Sequence, residues 1–272
     1  METELLRKVQ LTQLEIAKEI KRVCEENGIS YFLSDGSFLG AVRHQGFIPW
    51  DDDMDVSMLR ADYEKFFRIA PEKLKPEYCV QSWYTDPNYG LPFGKVMKRN
   101  TVYLESKKTC RLRENGFYVD IFPVDGLPEG EKERARYEKR LRRLYRLKLM
   151  KSGYKPWMEC DRINWVKRIG YLYYQFCALF QNGEKLAKAY DALATAYPEG
   201  KQVCMQWGQS GLLPFEESWV RELADYPFEG ETFPGPREYD RYLKTQYGDY
   251  MTPPPEAERG NRHQILKIDF GE

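Results

Sequence analysis

Apolar positions change their period several times along the chain, and each change marks a predicted element. Over 3–27, Leu6, Val9, Leu14, Ala17, Ile20 and Cys24 recur at helical spacing and Gly28 follows as a stop. That pattern predicts an amphipathic helix covering one face of a sheet. Residues 31–33 read as a short strand and 37–43 as a helix with Ser37 as its N-cap. At 53–58 the period drops to two, because Met54, Val56 and Met58 alternate with Asp53, Asp55 and Ser57. Such alternation predicts a half-buried strand. A helix over 60–70, a breaker segment from Pro71 to Pro76 and a strand over 78–83 follow. Residues 93–97 and 101–105 read as a hairpin turning near Arg99 and Asn100, and 117–122 as a strong strand.

The second half reads as mostly helical. A long basic helix is expected over 131–151, its apolar side given by Leu141, Leu144, Tyr145 and Leu149. Helices over 161–180 and 183–197 come next. The aromatics of the first, among them Trp165, Tyr171 and Phe176, are expected to pack a helical subdomain. A strand over 200–206, a loop over 208–214, an irregular Gly- and Pro-rich stretch at 228–237 and a helix over 237–247 complete the pattern. Strands and helices mixed in this way predict an α+β fold.

Composition narrows the function classes. Lys plus Arg and Asp plus Glu both number 42 in 272 residues, so no global charge argues for nucleic acid. The first residues, M-E-T-E-L-L-R-K, do not read as a secretory leader, and no run of about 18 apolar residues suggests a spanning helix. Six scattered cysteines without a C-x-x-C pair read as reduced thiols packed in a core. A cytoplasmic protein able to meet the inner membrane face is the expectation. The basic helix admits two readings, a solvated face or a contact with an anionic membrane.

The candidate chemistry lies at 34–59. Asp51, Asp52, Asp53 and Asp55 fall within five positions, and carboxylates so close repel unless a cation sits among them. Hard divalent ions are held by a few carboxylates together with substrate phosphates. The alternation puts Asp53 and Asp55 on one strand face. Gly36 and Ser37 lie where a helix begins, and free N–H groups there favour a phosphate. A solvated acidic turn beside an ordinary capped helix is the plain alternative. Asp120 interrupts the apolar run F-Y-V-D-I-F, so it needs a partner, either a metal or a nearby Lys or Arg. Asp125, after Pro123, reads as a turn cap. Arg43 and His44 suit either a phosphate or the end of their helix, and Lys95 and Lys98 suit phosphates or an exposed strand.

The text D-G-S-F-L-G-A-V-R-H-Q-G-F-I-P-W-D-D-D-M-D-V closely resembles the LicD family, whose relatives include the fukutin-type transferases. The Gly-Ser pair followed by Asp-apolar-Asp is similar to the nucleotidyltransferase signature. F-Y-V-D-I-F-P-V-D at 117–125 and Y-L-K-T-Q-Y-G-D-Y-M at 242–251, with His263 beyond, extend the resemblance over most of the chain. The middle third matches only loosely. The resemblance implies a nucleotidyltransferase-like mixed sheet flanked by helices. It implies a catalytic core over 1–127, a helical subdomain over 128–200 and a segment over 201–272 packing back on the core.

It further implies transfer of phosphocholine from CDP-choline to a hydroxyl of a glycan, such as a lipopolysaccharide or teichoic acid precursor. Magnesium, or manganese, would be held by Asp53, Asp55 and Asp120, with Asp120 also taking the proton of the attacking hydroxyl. Gly36, Ser37, Arg43, His44, Asp52, Lys95 and His263 would surround the substrate phosphates. A choline headgroup needs an aromatic surface, for which Trp50, Trp83, Tyr84, Tyr89, Trp207 and Trp219 are available. The nearest alternative is transfer of another CDP-linked alcohol phosphate such as ribitol phosphate. A non-catalytic nucleotide- or glycan-binding module is the rival of a different class.

Overall fold

The computed structural model describes residues 2–105, 112–154, 165–197, 200–205, 212–260, 263 and 265–271. Trp207, Cys110, Cys160, Gln206, the start of the helix expected at 161 and most of the loop expected at 208–214 lie outside the described residues. The first half builds β1 (Phe32–Leu33), β2 (Asp55–Leu59), β3 (Tyr78–Gln81), β4 (Gly94–Lys98), β5 (Val102–Leu104) and β6 (Tyr118–Gly126). Helices α1 (Thr3–Asn27), α2 (Asp35–His44) and α3 (Arg60–Lys73) alternate with them. Then come α4 (Glu131–Lys151), α5 (Trp165–Leu179), α6 (Gly183–Ala194), β7 (Gln202–Met205), β8 (Phe215–Glu216) and α7 (Glu217–Arg221). The C-terminal part holds β9 (Leu223–Phe228), β10 (Glu231–Pro236), α8 (Tyr239–Tyr247) and β11 (Lys267–Asp269).

Seven of the described strands form one mixed sheet in the order β1-β2-β6-β4-β3, extended by β7 beside β6 and β8 beside β7, and the other four form two two-stranded sheets, β9 with β10 and β5 with β11. The pair β2 and β6 runs parallel, with Asp55 opposite Asp120, and the other pairs run antiparallel. All nine residues of β6 are buried, which is why its sequence does not alternate and is apolar on both faces apart from Asp120 and Asp125. β2 is buried along its whole length as well, so the half-buried strand expected from its alternation is corrected, and it begins at Asp55 with Asp53 in the preceding loop. Helix α1 ends at Gly28, whose φ of 58° closes a left-handed cap on the last-turn carbonyls. Its apolar face packs on β6 and β4.

Long-range pairing and turn chemistry account for the other departures. β5 does not fold back on β4. Asn100, at φ 58°, turns the chain away, and β5 pairs with β11 from the far end of the sequence. The stretch read as irregular at 228–237 is the end of a hairpin, β9 with β10. Glu229 and Gly230 both take positive φ, 54° and 80°, as a two-residue hairpin turn requires. Pro227 and Pro234 are tolerated because both strands of a two-stranded ribbon are edges. Helix α3 runs on through Pro71 to Lys73, since a proline in the last turn forfeits only one helical bond. Ser34 replaces Ser37 at the N-cap of α2.

Asp125 is also not a turn cap. It lies within β6, 1% exposed, and accepts two hydrogen bonds from Arg60 at 2.7 and 2.6 Å. Pro123 interrupts no ladder there, because β4 leaves β6 at Ile121 and β7 joins it at Val124. Beyond the sheet, α4 spans the predicted 131–151 and packs on α5 and α6. A buried ammonium ties this layer to the core: Lys148 donates to the Tyr89 carbonyl at 2.8 Å and to Ser152 Oγ at 3.0 Å. Burial pulls its pKa down to about 8. The expected packing of α5 aromatics is only partly found, for Tyr171 is buried while Trp165, Tyr173 and Phe176 are exposed. Cys24, Cys79 and Cys204 are buried free thiols. Among the described residues no helix is long and apolar enough to cross a membrane.

One contact fixes how α2 meets the acidic loop. A Cβ on Gly40 would stand 2.4 Å from the Gly46 carbonyl oxygen and 3.2 Å from the Ile48 nitrogen, both backbone. Gly40→Ala is expected to cost roughly 2–3 kcal/mol, read as a lower urea midpoint at unchanged m-value.

Candidate active site

Three elements bring acids to the N-terminal edge of β2. The loop before β2 carries Asp51, Asp52 and Asp53, and one oxygen from each lies within 4.8 Å of the others. Asp55 opens β2, and the parallel register sets Asp120 of β6 beside it. Asp53 belongs to both groups: its charge raises the pKa of Asp55 and of Asp120. Among the described residues, the set that meets the 4.8 Å spacing is Asp51–Asp52–Asp53, and Asp55 and Asp120 stand outside it. Asp120 forms an ion pair with Lys95 of β4 at 2.9 Å. Lys95 also sits 3.2 Å from the centre of the Tyr118 ring, a cation–π contact.

Helix α2 starts against the same loop. Ser37 Oγ accepts the Asp55 N–H at 2.8 Å, so the hydroxyl anchors the first residue of β2. Gly36 is a close approach, since a Cβ there would lie 2.5 Å from Asp51 Oδ2. Positions 36 and 37 thus join the first turn of α2 to two of the acids. His263 arrives from the C-terminal tail with Nδ1 at 3.1 Å from Asp52 Oδ1 and 4.0 Å from Asp53 Oδ2.

Arg43 and His44 do not join them. They lie at the other end of α2, about 10 Å along its axis from Gly36, where Arg43 donates to the Tyr250 carbonyl at 2.7 Å and to His44 Nε2 at 2.9 Å. Lys98 pairs with Glu15 of α1 at 2.8 Å. Of the aromatics offered for a headgroup, Trp83 and Tyr89 are buried in the helical layer's core and Trp219 packs on the main core. Tyr84 donates to Asp191, and Trp50 lies under the Arg259 guanidinium at 5.1 Å.

Several positioning residues carry no motif. Gln10 and Gln13, on the buried side of α1, donate to the backbone carbonyls of Asp51 at 2.9 Å and Asp52 at 2.8 Å. Their signal was available: two glutamines three apart inside an apolar stripe need buried partners. The Tyr103 hydroxyl donates to the Asp52 carbonyl at 3.2 Å, and Tyr118 donates to Glu105. At the hairpin tip, Glu229 accepts from the Phe47 N–H at 3.1 Å and from Arg7 at 2.9 Å. That clamps the entry to the acidic loop against α1.

The electrostatics follow from crowding. Burial raises the Asp55 pKa well above the carboxylate range, and the charges of Asp53, Asp35, Asp120 and Asp51 raise it further. Burial likewise lifts Asp120 to about 6 even though Lys95 opposes the rise, with Glu105 and Asp53 adding to it. For His263, burial alone would lower the pKa. The hydrogen bond to Asp52 and the charges of Glu105, Asp53 and Asp52 lift it to about 9. The donor set is all hard oxygen, and its charges repel in the absence of a cation, which fits magnesium- or manganese-class ions. Bound metal would compete with these protons.

A pH signature follows. Asp120 binds its proton more tightly folded than unfolded, so its contribution to stability falls as pH rises from about 4 to about 6. Asp55 acts in the same direction. His263 acts in the same sense in a higher window. Its contribution is complete below about 6.5 and is lost as pH passes about 9. In EDTA, melting curves across pH 4 to 6 are expected to show a declining trend that Asp120→Asn flattens and that added manganese also flattens.

Known proteins match this chain at two scales. Residues 28–150 match the family model described as LicD/FKTN/FKRP, nucleotidyltransferase domain. The chain is 31% identical over 268 residues to the lipopolysaccharide cholinephosphotransferase LicD of Haemophilus influenzae, covering 95% of this chain and 96% of that protein. It is 44% identical over 48 residues to the human ribitol 5-phosphate transferase FKRP, covering 18% of this chain and 10% of that protein. An uncharacterised Rickettsia typhi protein is 38% identical over 71 residues, 26% of this chain and 23% of its own.

Proposed function

The chain belongs to the LicD family, and from that premise we propose that it transfers phosphocholine from CDP-choline to a glycan hydroxyl. The observation that supports the reading most strongly is the acid cluster around Asp53, in a chain similar to a cholinephosphotransferase over nearly its whole length. On this reading the sheet is nucleotidyltransferase-like, residues 1–127 form the catalytic unit, 128–200 a helical unit, and 201–272 pack back on the first.

Asp53 would hold magnesium or manganese together with Asp51 and Asp52, whose oxygens lie within 4.8 Å of its own, and Asp55 and Asp120 beside them would offer further oxygens. Such ions, once bound, stabilise charge on the attacking, leaving and non-bridging oxygens. The acceptor hydroxyl oxygen forms a bond to the choline-bearing phosphorus. The bond from that phosphorus to the bridging oxygen breaks, and CMP leaves with the electron pair. The hydroxyl proton passes to Asp120, whose pKa of about 6 leaves it ionised at neutral pH and basic enough to accept. Lys95 steadies that carboxylate. His263, protonated at neutral pH and held by Asp52, offers positive charge to the donor phosphates. Gly36 leaves room for the Asp51 carboxylate and Ser37 fixes the start of β2.

Purified protein with magnesium, a glycan acceptor and either CDP-choline or CDP-ribitol tests the donor. CMP release from CDP-choline is expected to exceed that from CDP-ribitol by at least about tenfold. Release from CDP-ribitol alone would move the chain to the alternative donor, and release from neither with any acceptor would defeat the transferase reading.

A further inference from the structure

Helix α5 turns its apolar side outward. Trp165, Ile169, Leu172, Phe176 and Leu179, with Phe180 just beyond, are each between 55% and 74% exposed. Their spacing of four, three, four and three residues puts them on one stripe, roughly 100° wide at 3.6 residues per turn. The inward side holds Tyr171 and Ala178 against α4 and α6. An isolated exposed leucine needs no explanation, but a continuous stripe of this kind marks a docking surface.

The surrounding charge identifies the occupant. The α5 sequence, W-V-K-R-I-G-Y-L-Y-Y-Q-F-C-A-L, contains no acid. Arg168 borders the stripe, and Lys167 is exposed at the start of the same helix, away from the stripe. From α4, Arg146 stacks on Tyr174 at 5.6 Å and Lys151 reaches the Leu179 carbonyl at 3.4 Å. Lys139, Arg140 and Arg143 of α4 are exposed. Trp, Phe and Leu on one side with cations along the border is the composition of a helix lying in a bilayer interface, and anionic lipid complements the cations. A second copy of this chain would instead oppose the same cations across a two-fold axis.

We infer that α5, bordered by the α4 cations, seats the protein on an anionic membrane surface. The inference is independent of the donor assignment, because its test reads binding and not turnover. The full chain is mixed with vesicles of phosphatidylcholine alone or with about 30% phosphatidylglycerol, and sedimented. Partitioning onto the anionic vesicles is expected to be at least about tenfold stronger. The variant L172E/F176E is expected to lose at least about tenfold of it. K167E/R168E should weaken the preference for anionic lipid, the α4 cations remaining, and both variants should keep CMP release toward a soluble acceptor. L172S/F176S, which adds no charge, should show the same loss as the glutamate pair. Absence of partitioning, or partitioning unchanged in all three variants, overturns the inference. A wild-type dimer that L172S/F176S splits, without any lipid binding, overturns it in favour of a second copy.

Discussion

Asp53→Asn is expected to lower kcat by about a thousandfold or more, a loss of roughly 4 kcal/mol of transition-state stabilisation. Asp53 is the acid that reaches both halves of the cluster. It belongs to the Asp51–Asp52–Asp53 group, and its charge acts on Asp55 and Asp120. Its side chain is 21% exposed, against 0% for Asp52, so among these two it is the carboxylate that an arriving diphosphate and ion can reach. Asparagine keeps the shape and removes the charge. Without metal, the same substitution should raise the melting temperature by a few degrees, since it takes one like charge from a crowded site. Lost turnover with a preserved or raised melting temperature separates a chemical role from a structural one. Unchanged turnover would remove Asp53 from the mechanism.

Arg60→Met is expected to cost roughly 3–5 kcal/mol of stability. Asp125 lies within β6 at 1% exposure, and Arg60 satisfies both of its oxygens. Arg60 also lies 3.9 Å from Asp191 of α6, so one guanidinium links α3, β6 and the helical layer. Removing it strands one buried carboxylate and leaves a second under-compensated. Burial already pushes both of their pKa values upward, while Arg60 holds them down. Denaturant unfolding of the variant should show the loss. Because the abandoned acids can take up protons, the loss should shrink as pH falls toward 5. The double variant Arg60→Met with Asp125→Leu should recover much of it, since an apolar pair of similar volume replaces a buried ion pair at little cost. A single variant as stable as the wild type would contradict this account of the buried pair.

Local features were legible in the sequence. Helix α1 was readable from its stripe and its glycine stop, and α4 from an unbroken run without Gly or Pro. The acids were legible because four carboxylates in five positions are unusual whatever the fold. What sequence could not supply was pairing across distance. β5 looks like half of a hairpin until β11 claims it from about 160 residues away. Asp125 looks like a turn residue because nothing near it in sequence announces Arg60. The assignment of Asp53 and Asp55 to one strand face failed for a related reason. β2 starts only at Asp55, because that residue's N–H is taken by Ser37 and the preceding loop is tied to α1 through Gln10 and Gln13. These glutamines carry no motif of their own. Their role exists only once α1 lies on the acidic loop.

The most direct test of the central claim is a crystal soaked with manganese and CDP-choline, read by anomalous scattering. The account predicts a manganese peak within coordination distance of Asp53 and at least one other of Asp51, Asp52, Asp55 and Asp120, with the diphosphate beside it. A fully occupied donor with no anomalous peak touching any of these five carboxylates would contradict it.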